Sequence, residues 1–433
     1  MKNIHNHINM KNVVVTGMGC VTPIGNNVEE FYNALMNGVS GAAPITYFDA
    51  SHHKTRFACE VKNFDPLQYM DKKEARKMPR VTTFVAAAAH QAVAQAGILG
   101  EDGKLSSSID ASRAGAIIGS GIGGLESMEA EMTENFEMDD PEPRFSPFYV
   151  TKMIANMSAA QLTIRYGLKG ASFATVSACA SGNHAFVTAL NFIRCGMADI
   201  ILAGGGEQAI TPSSIGGFNT MKALSTDNEH YASASRPYDK NRTGFVMGAG
   251  AGVLVLEEEE HAIKRGARIY ARLCGGGMSS DAYHISATLP SGEGAELSMA
   301  GAIKDAGLEP KDINYINTHG TSTVVGDMPE LLAIERIFGE HYKDVYISST
   351  KSMTGHLLGA ASAIEAVASI LAINHGVIPP TINVEELDEA VPANSNIVVN
   401  KPVKAEVNYA MSNSFGFGGH NATVVFGKYF PQR

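Results

Sequence analysis

Two segments of this chain follow one plan. Residues 177–196, SACASGNHAFVTALNFIRCG, leave an extended run, pass through a turn of small residues and enter an apolar helix. Residues 349–376, STKSMTGHLLGAASAIEAVASILAINHG, repeat that order. A helix that is apolar nearly all round must be buried between layers. The repeat therefore predicts a duplicated α/β architecture. No Pro- or Ser-rich linker separates the copies, so residues 1–265 and 266–433 are expected to pack as one body.

The rest of the chain alternates short apolar strands with helices. Strands are expected at 13–16, 114–119, 172–177, 200–206, 252–256, 315–317, 345–348 and 422–426. An alanine-rich helix is expected over 81–95. A charged helix is expected over 257–265, with Glu260 and Lys264 paired one turn apart. The 44 glycines imply many tight turns and close backbone approaches.

Charge narrows the function. Lys+Arg total 34 against 44 Asp+Glu, a net −10, which argues against nucleic acid or an anionic membrane as a partner of the whole surface. No apolar run is read as reaching the ~20 residues that span a bilayer. The polar start, MKNIHNHINMKN, has neither a signal-peptide core nor an Arg-rich transit pattern. Cys20, Cys59, Cys179, Cys195 and Cys274 form no C-x-x-C pair and are odd in number. That argues against a disulfide framework or a structural zinc site and fits a reducing cytoplasm.

Chemistry gathers at the turns. Cys179 stands where an extended run meets a helix, and the N–H groups and positive dipole end there favour a thiolate. Its small neighbours leave room for an acyl group. From position alone it equally fits a small buried cysteine packing like alanine. His319, within Asn317-Thr318-His319-Gly320-Thr321, is either a proton donor and acceptor near neutrality or a structural cap. Lys351 and His356 bracket the second turn. Glu365 lies in the apolar helix that follows, and an unpaired buried charge is costly, so Lys351 is its expected partner; the alternative is a Glu365 that faces solvent at a bend.

Two glycine-rich loops remain. Ser414–Asn421, SFGFGGHN, offers backbone N–H groups to an oxyanion and a phenylalanine that can swing as a gate, or it is a tight turn before a strand. Residues 119–124, GSGIGG, spell a dinucleotide fingerprint, with Asp139 and Asp140 about twenty residues on. The match is not at the first βα turn, and the acidic residues fall in the Pro-containing stretch 137–142, so a nucleotide is not expected. Lys72, Lys73, Arg76, Lys77 and Arg80 form a basic cluster, read as a solvated helix face or as a dock for an acidic macromolecule.

In order, Cys179, His319, Lys351, His356 and the C-terminal glycine loop resemble the elongating β-ketoacyl-[acyl-carrier-protein] synthases, most closely the synthase II type of fatty acid biosynthesis. The similarity runs from Val13 to Phe426. It implies a thiolase-like fold, two similar halves in five α-β-α-β-α layers, and a cytoplasmic homodimer. It implies that Cys179 accepts the acyl group and that His319 and His356 promote malonyl decarboxylation, with Lys351 supporting the site through Glu365. The N–H groups of Cys179 and Phe417 would form the oxyanion hole, Phe417 would also gate, and Ile122 and Phe218 would line the acyl tunnel. Lys73, Arg76, Lys77 and Lys222 would meet the acidic acyl carrier protein. Asn317, Glu365, Ser412 and Asn413 match positions that hold a structural cation in some relatives; no catalytic metal or organic cofactor is implied. His420 departs from the pattern, since many bacterial members carry threonine there.

The reaction implied is condensation of an acyl-cysteine with malonyl-carrier to give 3-oxoacyl-carrier and carbon dioxide. A polyketide-type ketosynthase shares the motifs. A non-catalytic chain-length partner fits less well, because such partners tend to lose the nucleophile. A degradative thiolase would want a second cysteine in a glycine-rich C-terminal turn, which this chain lacks.

Overall fold

Ten strands carry the architecture in the computed structural model, which describes residues 10–137 and 142–431. The N-terminal segment before Met10 and the aspartates Asp139 and Asp140 lie outside the described residues. The first five strands are β1 (Val13–Val21), β2 (Ala114–Gly119), β3 (Ser172–Thr175), β4 (Ile200–Glu207) and β5 (Gly250–Glu258). The next five are β6 (Ala271–Ser280), β7 (Tyr315–Asn317), β8 (Tyr346–Ser348), β9 (Tyr409–Gly416) and β10 (His420–Gly427).

Their order across the sheet is β8-β7-β9-β10-β6-β1-β5-β4-β2-β3. Outward from the β6–β1 junction, each side runs first, fifth, fourth, second, third. The directions repeat as well. In each set the inner two pairings are antiparallel and the outer two parallel. The two sets meet through Val14 opposite Arg272 and Val15 opposite Ala271. The duplication legible in two turns thus extends to the whole strand topology.

Helices complete the layers. α1 (Arg80–Ala96) and α2 (Met157–Tyr166) cover one outer face, and α4 (Glu293–Asp305) and α5 (Asp327–Phe338) the other. α3 (Ser181–Arg194) and α6 (Ala361–His375) lie in the middle: α3 packs on β2 and β4 on one side and on β6 and β10 on the other. The result is the five-layer α-β-α-β-α arrangement of the thiolase-like fold.

Side-chain size sets the layer spacing. Alanine is the best helix former and among the smallest residues, so α1 approaches β1 closely. A Cβ at Gly19 would stand 2.0 Å from the Ala88 carbonyl oxygen, so only glycine fits there. α6 is apolar on every side, and every residue from Ala361 to Ile373 is buried.

Two expectations need correction. The stretch Leu358–His375 does reach 18 residues with an apolarity sufficient to cross a membrane, but 89% of it is buried inside the protein, where it forms the central layer. The charged helix starts only at Glu259, because β5 continues through Glu258. Buried Glu257 accepts hydrogen bonds from Arg265 Nε at 2.6 Å and Thr16 Oγ1 at 2.8 Å. Among the described residues this network ties down the turn, and no Glu260–Lys264 ion pair forms.

Candidate active site

The nucleophile candidate is presented by a strained turn. After β3 the chain reaches Ala178 at φ +49, a left-handed conformation uncommon outside glycine. Ser181 braces it, its Oγ donating to the Ala178 carbonyl at 2.6 Å and accepting from the Ser177 N–H at 2.9 Å. Cys179 therefore stands at the head of α3, on a helix held between two sheets. It is 8% exposed.

The second half supplies two imidazoles. His356 Nε2 lies 3.0 Å from Cys179 Sγ. Donor atoms of Cys179, His319 and His356 all lie within 4.8 Å of one another, and the two rings meet edge to face at 5.2 Å between centroids. His319 is held by its backbone: its N–H and that of Gly320 donate to the Glu330 carboxylate at 2.8 and 2.9 Å. Asn413 Nδ2 donates to the same carboxylate at 3.0 Å.

These groups open on a cavity of about 470 Å³, also lined by Ile122, Phe218, Lys222 and Phe417. The Phe417 ring is 37% exposed and lies 6.2 Å from that of Phe218. The backbone N–H groups of Phe417 and of Cys179 both point at Sγ. A Cβ on Gly416 would stand 2.9 Å from the Cys179 nitrogen, so the glycine keeps that donor open. His420 pairs with Gly416 across the hairpin, and a Cβ on Gly418 would meet its Nε2 at 2.9 Å. Its imidazole thus packs under the loop that carries Phe417.

Protonation differs from expectation. Burial pushes the Cys179 thiol up to about 12, outweighing the nearby Lys351 charge and the two N–H groups. The resting group is a thiol, because desolvation beats the helix start. Burial, and then the Lys351 charge, hold His319 and His356 well below 6.5, so both imidazoles are neutral at pH 7. The thiol proton therefore has a neutral ring in contact with its sulfur.

Lys351 and Glu365 meet as expected, Nζ to Oε1 at 2.5 Å, with both side chains 1% exposed. Burial holds the Glu365 carboxyl above the usual range, with Lys351 acting the other way. Asn317 Oδ1, Glu365 Oε2 and Ser412 Oγ are buried without hydrogen-bond partners, and Asn317 and Ser412 are register partners between β7 and β9. Three such oxygens suit a hard cation. The Asn413 side chain is taken up by Glu330 and by Thr423 Oγ1 at 3.0 Å.

Two buried carboxylates escaped the sequence reading. Glu330 positions His319. Glu207, the last residue of β4, accepts from the Gly121 N–H at 2.6 Å, the Ile122 N–H at 3.3 Å and Ser120 Oγ at 3.1 Å. The GSGIGG loop thus does cradle an acidic group, but one belonging to the protein. The available signal was an acidic residue ending an apolar run, ILAGGGE. Of the basic residues, Lys222 lines the cavity, whereas Lys73, Arg76 and Lys77 are exposed on a separate short helical turn.

The chain matches the models of the N-terminal domain of β-ketoacyl synthases over residues 10–262 and of their C-terminal domain over residues 270–385. It is 45% identical to a 3-oxoacyl-[acyl-carrier-protein] synthase 2 of Synechocystis sp., over 98% of this chain and 99% of that protein. It is 46% identical to the protein of that name from Vibrio harveyi, over 96% and 99%. Among solved structures, the ishigamide ketosynthase/chain length factor is similar at a TM-score of 0.89 and 36% identity, over 97% of this chain and all of that one. A type II polyketide acyl-carrier protein in complex with its ketosynthase is similar at 0.88 and 32%, over 97% of this chain and 100% of that one. Full-length likeness at this level, on a fold that brings a cysteine and two histidines to one cavity, has one reading: the chain belongs to the β-ketoacyl synthase family.

Proposed function

We propose that this chain extends acyl groups by decarboxylative condensation with malonyl-[acyl-carrier protein], as a 3-oxoacyl-[acyl-carrier-protein] synthase of fatty acid elongation. One observation carries the mechanism: Cys179 Sγ lies 3.0 Å from His356 Nε2, with His319 beside both, on a cavity of about 470 Å³.

In the first stage Sγ attacks the acyl thioester. His356 Nε2 takes the thiol proton and passes it to the departing carrier thiolate, so one S–C bond forms and one breaks. The N–H groups of Cys179 and Phe417 hold the tetrahedral oxyanion. In the second stage malonyl-carrier enters and its carboxylate leaves as carbon dioxide. His319 and His356 stabilise the enolate, which attacks the acyl carbonyl and expels the Cys179 sulfur as a thiolate; that thiolate takes up from solvent the one proton the overall condensation consumes. Lys351, held by Glu365, places its positive charge near both rings and near the Cys179 sulfur.

The remaining assignments belong to the same proposal. The nucleophile sits in residues 1–265 and both histidines in 266–433, two halves of one body. Phe417 gates, and Ile122 and Phe218 line the acyl tunnel. Lys73, Arg76, Lys77 and Lys222 dock an acidic carrier protein; the neighbour solved with its carrier supports that partner. Asn317, Glu365, Ser412 and Asn413 would hold a structural cation, with Glu365 Oε2 facing it while Oε1 holds Lys351. The protein works as a cytoplasmic homodimer: among the described residues β3 has a hydrogen-bonded neighbour on one side only, with Val176 beside it 62% exposed, which leaves an edge for a second copy.

The polyketide alternative uses the same groups, but 45% and 46% identity to the synthase 2 proteins exceeds the 36% to the ishigamide ketosynthase/chain length factor and the 32% to the type II polyketide ketosynthase complex. The test is Cys179→Ala assayed with acyl- and malonyl-carrier. Condensation should fall at least about a thousandfold, with folding retained; wild-type condensation in the variant excludes the covalent route.

A further inference from the structure

Glu207 is buried, ionisable and unused by the mechanism above. Its carboxylate takes donors from both halves of the chain: Ser120 Oγ, Gly121 N–H and Ile122 N–H from one loop, and Gly359 N–H at 3.1 Å from the turn that follows His356. We propose that Glu207 is a positioning residue that sets acyl-chain selectivity, by fastening the pocket wall that carries Ile122 to the turn behind His356. The inference rests on the ketosynthase reading and deepens it by naming what fixes the depth of the acyl site.

The fit leaves no slack. A Cβ on Gly121 would stand 2.9 Å from Glu207 Oε2, one on Gly359 would stand 2.8 Å from it, and the latter would also be 2.4 Å from the Gly121 nitrogen. Both loops therefore close on the carboxylate through bare glycine backbone. Ile122 and Leu358, the neighbours of those glycines, both line the cavity. A shift of either loop moves a wall. A carboxylate only accepts, so two oxygens satisfy all four donors, whereas a carboxamide must turn its NH2 toward one of them. Burial raises the Glu207 carboxyl to about 7, and its charge in turn raises the Cys179 thiol, so the group also acts on the nucleophile at a distance.

The experiment uses full-length wild type, Glu207→Gln, Ser120→Ala, Ile122→Ala and the Glu207→Gln/Ile122→Ala double variant. Acylation of Cys179 by hexanoyl- and palmitoyl-pantetheine is followed by intact mass, and iodoacetamide labelling is followed against pH. The palmitoyl-over-hexanoyl preference should fall about tenfold in Glu207→Gln, one unsatisfied buried donor's worth, and about twofold in Ser120→Ala. The double variant should lose less than the product of the two single losses, since Glu207 acts in part through the Ile122 wall. Iodoacetamide labelling at neutral pH should quicken in Glu207→Gln, an effect that mere loosening would not make pH-dependent. A folded Glu207→Gln with wild-type preference, or effects that multiply with those of Ile122→Ala, overturns the proposal. Should Glu207→Gln not fold, an unchanged preference in Ser120→Ala overturns it. If wild type is acylated by neither thioester, the ketosynthase reading itself fails and takes the pocket role with it.

Discussion

The turns before α3 and α6 share a backbone and differ in what they show the cavity. Each places a non-glycine residue in the left-handed region three positions before its helix, Ala178 at φ +49 and Leu358 at φ +48. The next residue is Cys179 in one and Gly359 in the other. The strand facing each turn is the fourth of its set and eight residues long. β9 ends in Gly416, which leaves the Cys179 N–H open, whereas β4 ends in Glu207, whose carboxylate fills the Gly359 N–H. Duplication thus made two sites able to hold an anion. One keeps a resident carboxylate and becomes structure; the other is kept empty of side chain and is available to a reacting oxygen.

The second turn also carries a buried ion pair that the first lacks, so the two should differ most under truncation. Lys351→Ala strands Glu365 without its partner and should cost about 3–5 kcal/mol by chemical denaturation, much of it recovered in Lys351→Met/Glu365→Leu. Ser177→Ala, in the first turn, removes a neutral hydrogen bond to His184 and should cost about 1 kcal/mol. Equal losses would erase the distinction. Next in size is Gly416→Ala. A Cβ there crowds the Cys179 N–H, so condensation should fall about 10²–10³-fold, the loss of one oxyanion donor, while iodoacetamide still labels Cys179. Near-wild-type condensation would remove the hole from this edge.

The halves should also show opposite pH limits. His319 and His356 titrate below 6.5 when folded, so the unfolded chain binds more protons in acid. Their contribution to stability is present above 6.5 and lost as pH falls from there through the lower folded values. The Cys179 thiol is raised from 9.0 to about 12, so its contribution is present below 9.0 and lost as pH rises toward 12. Melting curves should therefore have an acid limb flattened by His356→Ala and an alkaline limb reduced by Cys179→Ala. A variant that flattens the wrong limb would reverse these assignments.

Much of this was written locally in the chain. The repeated strand–turn–helix segments disclosed the duplication, because an apolar helix after a small-residue turn needs the same layers wherever it occurs. Cys179, His319, Lys351 and His356 were legible as turn residues, and Glu365 as a buried charge in want of a partner. Their meeting was not, since Cys179 and His356 are 177 residues apart and only the topology joins them. Glu207 and Glu330 were harder to read for a related reason: most of their partners are backbone N–H groups, which every residue has, and only the acidic end of the apolar run ILAGGGE marked Glu207. The protonation of Cys179 was misread because dipole and neighbours are local, whereas burial, which decides it, is a property of the whole fold.

The smallest test returns to the two left-handed residues. An L-residue in that region costs about 1–2 kcal/mol that glycine avoids, so glycine at either position relieves strain. Ala178 is half-buried and gives up only a methyl group, so Ala178→Gly should leave stability unchanged or raise it by up to about 1 kcal/mol, after the larger chain entropy of unfolded glycine. Leu358 is 4% exposed and packs in the core, so Leu358→Gly should lose about 1–3 kcal/mol net, the cavity cost outweighing the same relief. Opposite signs at matched backbone positions would show that strain at Ala178 is borne for the placement of Cys179. Ala178→Gly should then also slow acylation by hexanoyl-pantetheine, since a freer turn holds the sulfur less firmly beside His356. A stabilised variant with undiminished acylation would mean that the strained conformation serves the fold in both halves and the chemistry in neither.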